Sequence, residues 1–104
     1  MESYQVKATQ PFMDEFFKLF DTQEQQKFNA FKEKIKKNPY LGDQLRVPFV
    51  REFKSSKGKR AYFLIYEEIY LVLFVACGNK KNQKTMINRI FEKLDEFKEY
   101  AYSL

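Results

Sequence analysis

The sequence predicts an α+β fold: a small antiparallel sheet of about four strands, an N-terminal helix pair packed on it, and a C-terminal helix. Three observations carry this. Apolar residues recur at spacings of three and four near both ends of the chain. Between them lie two runs, Arg60 to Glu67 and Tyr70 to Cys77, dense in Tyr, Phe, Ile, Leu and Val. The connections among the middle segments are short, which pairs neighbouring strands antiparallel, because a parallel crossover needs a dozen residues or more.

The elements follow in order. Tyr4 to Lys7 reads as a short strand. Pro11 suits a first helical turn, where a missing N–H leaves no bond unmade. Phe12, Phe16, Leu19 and Phe20 then keep helical spacing, so the first helix covers Pro11 to Phe20. Asp21 caps a second helix, with Glu24 three residues on in a capping-box pattern. Phe28, Phe31 and Ile35 form its apolar stripe. It stops near Lys37, since the residue before a proline is pushed out of the helical region and Asn38 precedes Pro39. Residues 38–42 are a turn or loop, and the two helices form a hairpin on the sheet. Val47 to Lys54 is a strand with Pro48 near its start, where proline is tolerated. Ser55 to Lys59, containing Gly58, is a hairpin turn. Arg60 to Glu67 and Tyr70 to Cys77 are apolar on both faces and therefore central, joined tightly through Glu67 to Ile69. Gly78 to Gln83 is a polar loop. From Gln83 or Lys84 a last helix carries Ile87, Ile90, Phe91, Leu94, Phe97 and Ala101 inward, with Glu92, Asp95, Glu96 and Glu99 outward.

At 104 residues the chain is long enough for one domain, residues 1–104, with one real core. The composition is 44% hydrophobic and 18% aromatic, far from a disordered chain. No apolar run reaches the roughly 18 residues that cross a bilayer, so no membrane association is expected. Residues 1–7 lack the charged-then-apolar order of a secretion signal, and the expected location is the cytoplasm. Cys77 is the one cysteine and reads as a small buried hydrophobe. There is no histidine, which removes Ser-His-Asp and Cys-His chemistry and most zinc sites; no cofactor or metal is expected.

The charge is informative through its placement. Residues 46–60 hold Arg46, Arg51, Lys54, Lys57, Lys59 and Arg60 against one acid, Glu52, and residues 79–89 hold Lys80, Lys81, Lys84 and Arg89 against none. Together they carry +9, so the rest of a chain of net charge +5 sums to −4. In an antiparallel meander the end of the Val47–Lys54 strand lies beside Arg60, and Arg60 beside the end of the last strand, where the Asn79–Lys84 loop departs. Two basic segments distant in sequence thus converge on one sheet end, with Glu67 and Glu68 at the other. A focused basic patch attracts a polyanion. Phe53 and Tyr62 lie near it, as candidates either for stacking on an unpaired base or for core packing.

The order strand, helix pair, three strands, together with "GKR-x-Y" (Gly58 to Tyr62) and "KKNQ" (Lys80 to Gln83), resembles the RelE/ParE toxin superfamily. The stretch Arg51 through Gln83 is similar to the core of these toxins, nearest to archaeal RelE-like and HigB variants. The resemblance implies a type II toxin held inactive by a cognate antitoxin, cutting mRNA on the ribosome in the RelE manner. The alternatives are a ParE-like toxin that binds DNA gyrase and a nucleic-acid-binding homologue without catalysis. By position, the arginine opening the family's third strand matches Arg60. The basic residue of its second strand matches Arg51 or, shifted within the hairpin, Lys54. The basic residue after the fourth-strand glycine matches Lys80, with Lys81 as near substitute. The tyrosine or histidine that many RelE toxins carry near the start of the last helix is replaced by Thr85 and Met86; Tyr100 and Tyr102 are candidates to fold back in its stead.

Metal-free RNA cleavage uses the neighbouring 2′-hydroxyl as nucleophile. It needs a base, charge at the phosphate and an acid for the leaving oxygen. Arginine stays protonated, so Arg60 is assigned to the phosphate. A lysine crowded by cations loses proton affinity, which makes Lys54 or Lys80 the proton-transfer candidate, with Arg51 completing the catalytic set. Arg46, Lys57, Lys59, Lys81 and Lys84 are expected to bind RNA together with Phe53 and Tyr62.

Overall fold

The structure, a computed structural model, describes residues 3–104. A five-stranded sheet lies at its centre, in the order β1-β5-β4-β3-β2. Its strands are β1 (Gln5–Ala8), β2 (Asp43–Leu45), β3 (Val47–Lys54), β4 (Lys59–Tyr66) and β5 (Leu71–Asn79). Strands β2 to β5 pair antiparallel as the short connections require, and β1 pairs in parallel with the first half of β5. Two helices, α1 (Gln10–Leu19) and α2 (Thr22–Ile35), connect β1 to the meander, and α3 (Gln83–Glu92) and α4 (Leu94–Ser103) follow it.

Local chemistry explains the starts of the first two helices. The Thr9 hydroxyl accepts from the Phe12 N–H at 3.3 Å and caps α1. Asp21 and Glu24 form the reciprocal capping box expected of them at the start of α2.

The sheet divides the core in two. On one face α1 and α2 bury Phe12, Phe16, Phe20, Phe28 and Ile35 against Phe63, Ile65, Val72 and Phe74. Ring centroids here lie as close as 4.6 Å, for Phe16 with Phe20 and with Phe28. On the other face α3 and α4 bring Met86, Ile87, Ile90, Leu94, Phe97 and Ala101 onto Val50, Tyr62, Leu64, Leu73 and Val75. Truncating one such buried ring to alanine typically costs about 3–5 kcal/mol. Cys77 is buried with its thiol toward the Phe12 carbonyl, and burial pushes that thiol up, as suits a small hydrophobe.

Three differences from expectation stand out. The sheet has five strands rather than about four, because the polar segment Asp43–Leu45 pairs with β3. Nothing in those three residues marks a strand by itself; the pairing ends at Arg46, which takes the left-handed conformation at φ 63°. Second, the C-terminal helix is two helices, interrupted at Lys93 (φ −110°, ψ 15°). A straight helix over the same residues would be about 30 Å long, the full width of a molecule measuring 33 × 30 × 24 Å. The break keeps Leu94, Phe97 and Ala101 on the sheet. Third, the connections at Pro39–Leu41 and Glu67–Ile69 are 3₁₀ turns, the latter closed by Tyr70 at φ 50°.

Candidate nucleic-acid interface

The register brings the two basic segments to one sheet end. Lys54 pairs with Arg60, and Arg60 pairs with Gly78, so three strands present these residues side by side. Paired strands sit about 4.8 Å apart. The hairpin turn after Lys54 and the loop after Asn79 leave from this edge. Because side chains alternate along a strand, residues 52, 54, 60 and 62 share the α3/α4 face, and residues 51, 53 and 59 share the α1/α2 face.

Arg60 is the centre of the first group. It is only 7% exposed, and its Nη1 donates to Glu52 Oε2 at 2.7 Å; Glu52 is 5% exposed. The Gln83 amide, at the first turn of α3, donates to the same carboxylate at 3.2 Å. This network joins β3, β4 and α3. Two buried atoms in it have no partner among the described residues: Arg60 Nε and the Tyr62 hydroxyl. Burial pushes the Tyr62 hydroxyl up to about 12, with the Glu52 charge adding to the shift. Burial also raises the Glu52 carboxyl above its ordinary value, although Arg60 and Gln83 pull it down.

The loop beyond β5 is fixed by its own asparagines. The Asn79 amide carbonyl accepts from the N–H groups of Lys81 and Asn82, and Asn82 accepts from the Asn79 N–H at 2.9 Å. A Cβ at Gly78 would stand 2.6 Å from Asn82 Oδ1, so a larger residue there would displace the Asn82 side chain from this turn. Lys80, Lys81 and Lys84 stand exposed around the start of α3, where the helix dipole adds positive potential. Lys54 is likewise exposed, and none of these four lysines forms an ion pair among the described residues.

The other candidates are placed differently. Arg51 lies on the opposite face from Arg60. Its guanidinium donates to the carbonyls of Pro48 and Gly42, at 2.8 and 3.0 Å, and stacks over the Tyr40 ring. Lys57 pairs with Asp21, a contact that lowers the Asp21 carboxyl from its ordinary value, and Lys59 approaches Glu24 at 3.9 Å. These two cations are therefore matched by acids of α2. Arg46 bonds the Asn88 side chain and covers the Phe91 ring, away from the Lys54–Arg60–Gly78 row. Tyr62 is wholly buried, and Phe53 packs against Phe28 and Phe31, so neither ring is free to receive a base. Tyr102 bonds Glu68 at the acidic end of the sheet, and Tyr100 sits on α4 beside Thr9, Pro11 and Val75; neither replaces the aromatic group missing at Thr85 and Met86. Sequence reasoning passed over Glu52 and Gln83. A lone acid inside a basic stretch was the available signal for Glu52; nothing local announced that Gln83 would meet it. Among the described residues no group of three or more His, Cys, Asp or Glu is placed to hold a metal ion. Nor is any helix among them long and apolar enough to cross a membrane.

No family model matches the chain, and no curated protein sequence matches it. Solved structures do. A doubly arginine-to-alanine substituted E. coli toxin RelE in the free state superposes with a TM-score of 0.71 at 16% identity, over 85% of this chain and 98% of that one. The toxin of the intact E. coli RelBE toxin–antitoxin complex gives 0.61 at 20% identity, over 74% and 96%. The same substituted RelE bound to a peptide of its antitoxin RelB gives 0.66 at 12% identity, over 84% and 94%. Agreement over nearly the whole of each neighbour shows that the chain has the RelE toxin fold.

Proposed function

We propose that this RelE-fold chain is the toxin of a type II toxin–antitoxin pair, a metal-independent, ribosome-dependent mRNA endoribonuclease that stops translation in the cytoplasm. One observation carries the reading: Lys54 and Arg60 are register partners at the sheet end where Lys80, Lys81 and Lys84 also stand. The exposed lysines make the rim of this sheet end cationic around the buried Arg60–Glu52 pair, and α3 starts beside it, an arrangement that suits an RNA backbone.

In this reading the exposed lysines draw in the RNA and hold the phosphates on either side of the scissile one. The 2′-hydroxyl attacks the adjacent phosphorus, its proton passing to one of Lys54 and Lys80. Negative charge then grows on the non-bridging oxygens, where the planar Arg60 guanidinium stabilises it. The departing 5′-oxygen takes a proton from the other lysine, leaving a cyclic 2′,3′-phosphate. The ribosome supplies the fixed geometry of the RNA, which a flat, open site does not impose alone. The partners are mRNA, the ribosome and an antitoxin, as RelE is solved with RelB.

The test is induced expression with two readouts, translation rate and mRNA integrity. Wild type should arrest translation with cleaved messages. Arg60→Ala should lose roughly 10²–10³-fold in cleavage, the value of about 3–4 kcal/mol for one charge-stabilising donor. Undiminished translation with the wild type, or equal cleavage in both, defeats the proposal. The absence of an aromatic acid at Thr85 and Met86 favours a second reading, binding without cleavage, to DNA gyrase or to nucleic acid. Growth arrest with intact mRNA and induced DNA damage would select the gyrase form.

A further inference from the structure

The Glu52 carboxylate makes an unexpected choice of partner. On the β3–β4 pair, Glu52 lies directly across from Tyr62, while Arg60 is its diagonal neighbour, opposite Lys54. Directly opposed Cβ atoms are about 4.5–5.5 Å apart and diagonal ones about 7–8 Å. Yet the carboxylate reaches the diagonal guanidinium at 2.7 Å and leaves the hydroxyl across from it buried and unpaired. A buried hydroxyl without a partner is costly, and so is an arginine with its Nε unmatched. The molecule therefore holds a strained distribution of bonds at the point where a phosphate is to bind.

We propose that Glu52 is a two-position latch regulating that phosphate site: it neutralises Arg60 in the free protein and moves to the Tyr62 hydroxyl when an RNA phosphate takes the guanidinium. This rests on the reading of Arg60 as the phosphate ligand. The exchange conserves hydrogen bonds and charge. Arg60 trades a carboxylate for a phosphate oxygen. Glu52 trades a guanidinium donor for the orphaned Tyr62 O–H. Gln83 can hold the carboxylate in both positions, since its amide bridges both oxygens, at 3.2 and 3.4 Å. Asp43, across β2 from Glu52, repels the carboxylate and favours a position beside a donor at all times.

The latch has a consequence for selectivity. A single phosphate must compete with a carboxylate already seated at 2.7 Å. A longer strand gains extra contacts from Lys54, Lys80, Lys81 and Lys84 and can win that competition. Extended RNA therefore opens the site, and a lone phosphate group does not.

The experiment measures binding of a fluorescent single-stranded RNA oligonucleotide at fixed salt, with inorganic phosphate as competitor. It uses wild type, Glu52→Gln, Tyr62→Phe and the double variant, each checked for an intact thermal transition. Glu52→Gln removes the competing charge and should bind the RNA about tenfold more tightly, with inorganic phosphate becoming an effective competitor. Tyr62→Phe removes the second position while keeping the ring, and should bind several-fold more weakly than wild type. In the Glu52→Gln background the same Tyr62 change should have no effect. Unchanged or weaker binding by a folded Glu52→Gln protein overturns the latch. Should that variant not fold, wild-type affinity in Tyr62→Phe overturns it by itself. Because binding is read without cleavage, intact mRNA in the induction experiment removes the nuclease reading and leaves the latch to these affinities; loss of all binding difference between Arg60→Ala and wild type removes both.

Discussion

Glu52 is the residue at which burial and charge oppose each other most directly. Desolvation lifts its carboxyl above the ordinary value of 4.5, and the attraction of Arg60 offsets this only in part. A carboxyl raised in the folded state favours the protonated form there. Its contribution to stability is complete below the ordinary carboxyl range and is lost as pH rises through the raised value. The thermal midpoint of Glu52→Gln, measured against wild type, should therefore move in the variant's favour as pH climbs from about 4 to 7, because only the wild type must ionise a buried group. A difference that stays flat across this range would mean that Arg60 fully compensates the burial. Lys54 shows the opposite situation: on the same face and one register step from Arg60, it is exposed and uncommitted. The same sheet end thus holds one cation paired with a carboxylate and one with no ion-pair partner among the described residues.

At the scale of elements, the position of β3 depends on the turn that precedes β2. Gly42 lies where a side chain would stand 2.7 Å from the Phe63 ring and 2.9 Å from the Glu52 carbonyl. Its own carbonyl accepts from Arg51 at 3.0 Å. Arg51 therefore fastens the turn to the strand from the α1/α2 side, while Glu52 faces the site on the other. Gly42→Ala should cost about 1–3 kcal/mol in urea unfolding, since the methyl can be fitted only by moving β3 or the buried ring. The same variant should weaken RNA binding, because β3 carries Lys54. An alanine variant with unchanged unfolding would show that the turn can swing away from the sheet. The hairpin between β3 and β4 is tied down in a comparable way, through Ser55 to Glu24 and Lys57 to Asp21, so α2 steadies the turn that follows Lys54.

Across the whole molecule, charge is separated along the strands. The cations gather where β3, β4 and β5 meet α3, while Glu67 and Glu68 close the far end, each bonded to a tyrosine, Tyr40 and Tyr102. Such a molecule approaches a polyanion in one orientation. Binding to single-stranded RNA should fall linearly on a log–log plot against salt, with a slope of about −0.7 per phosphate contacted. Lys80→Ala should reduce the steepness by about 0.7, and Lys57→Ala, already matched by Asp21, should leave it nearly unchanged. Equal slopes for the Lys80 variant and the wild type would place the RNA elsewhere.

The starts of the first three helices, the β3 strand, the two central strands and the convergence of basic segments were legible in the residues, because each rests on local or nearest-neighbour physics. Asp21 and Glu24 cap their own helix. Val47 to Lys54 carries its own strand chemistry. Short connections leave antiparallel pairing as the one solution, and that alone brings Lys54, Arg60 and Gly78 together. What escaped depends on partners distant in sequence. Asp43–Leu45 is a strand only because β3 offers an edge, and the break at Lys93 interrupts a continuous apolar period so that Leu94, Phe97 and Ala101 stay on the sheet. Side-chain commitment escaped for the same reason: composition counts Arg51, Lys57, Lys59 and Arg60 as equal charges, whereas packing gives them carbonyls, Asp21, Glu24 and Glu52. The chain by itself settled where its charge collects; the tertiary structure decided which of those charges are free, because a hydrogen bond is made between side chains that only the folded sheet brings within reach.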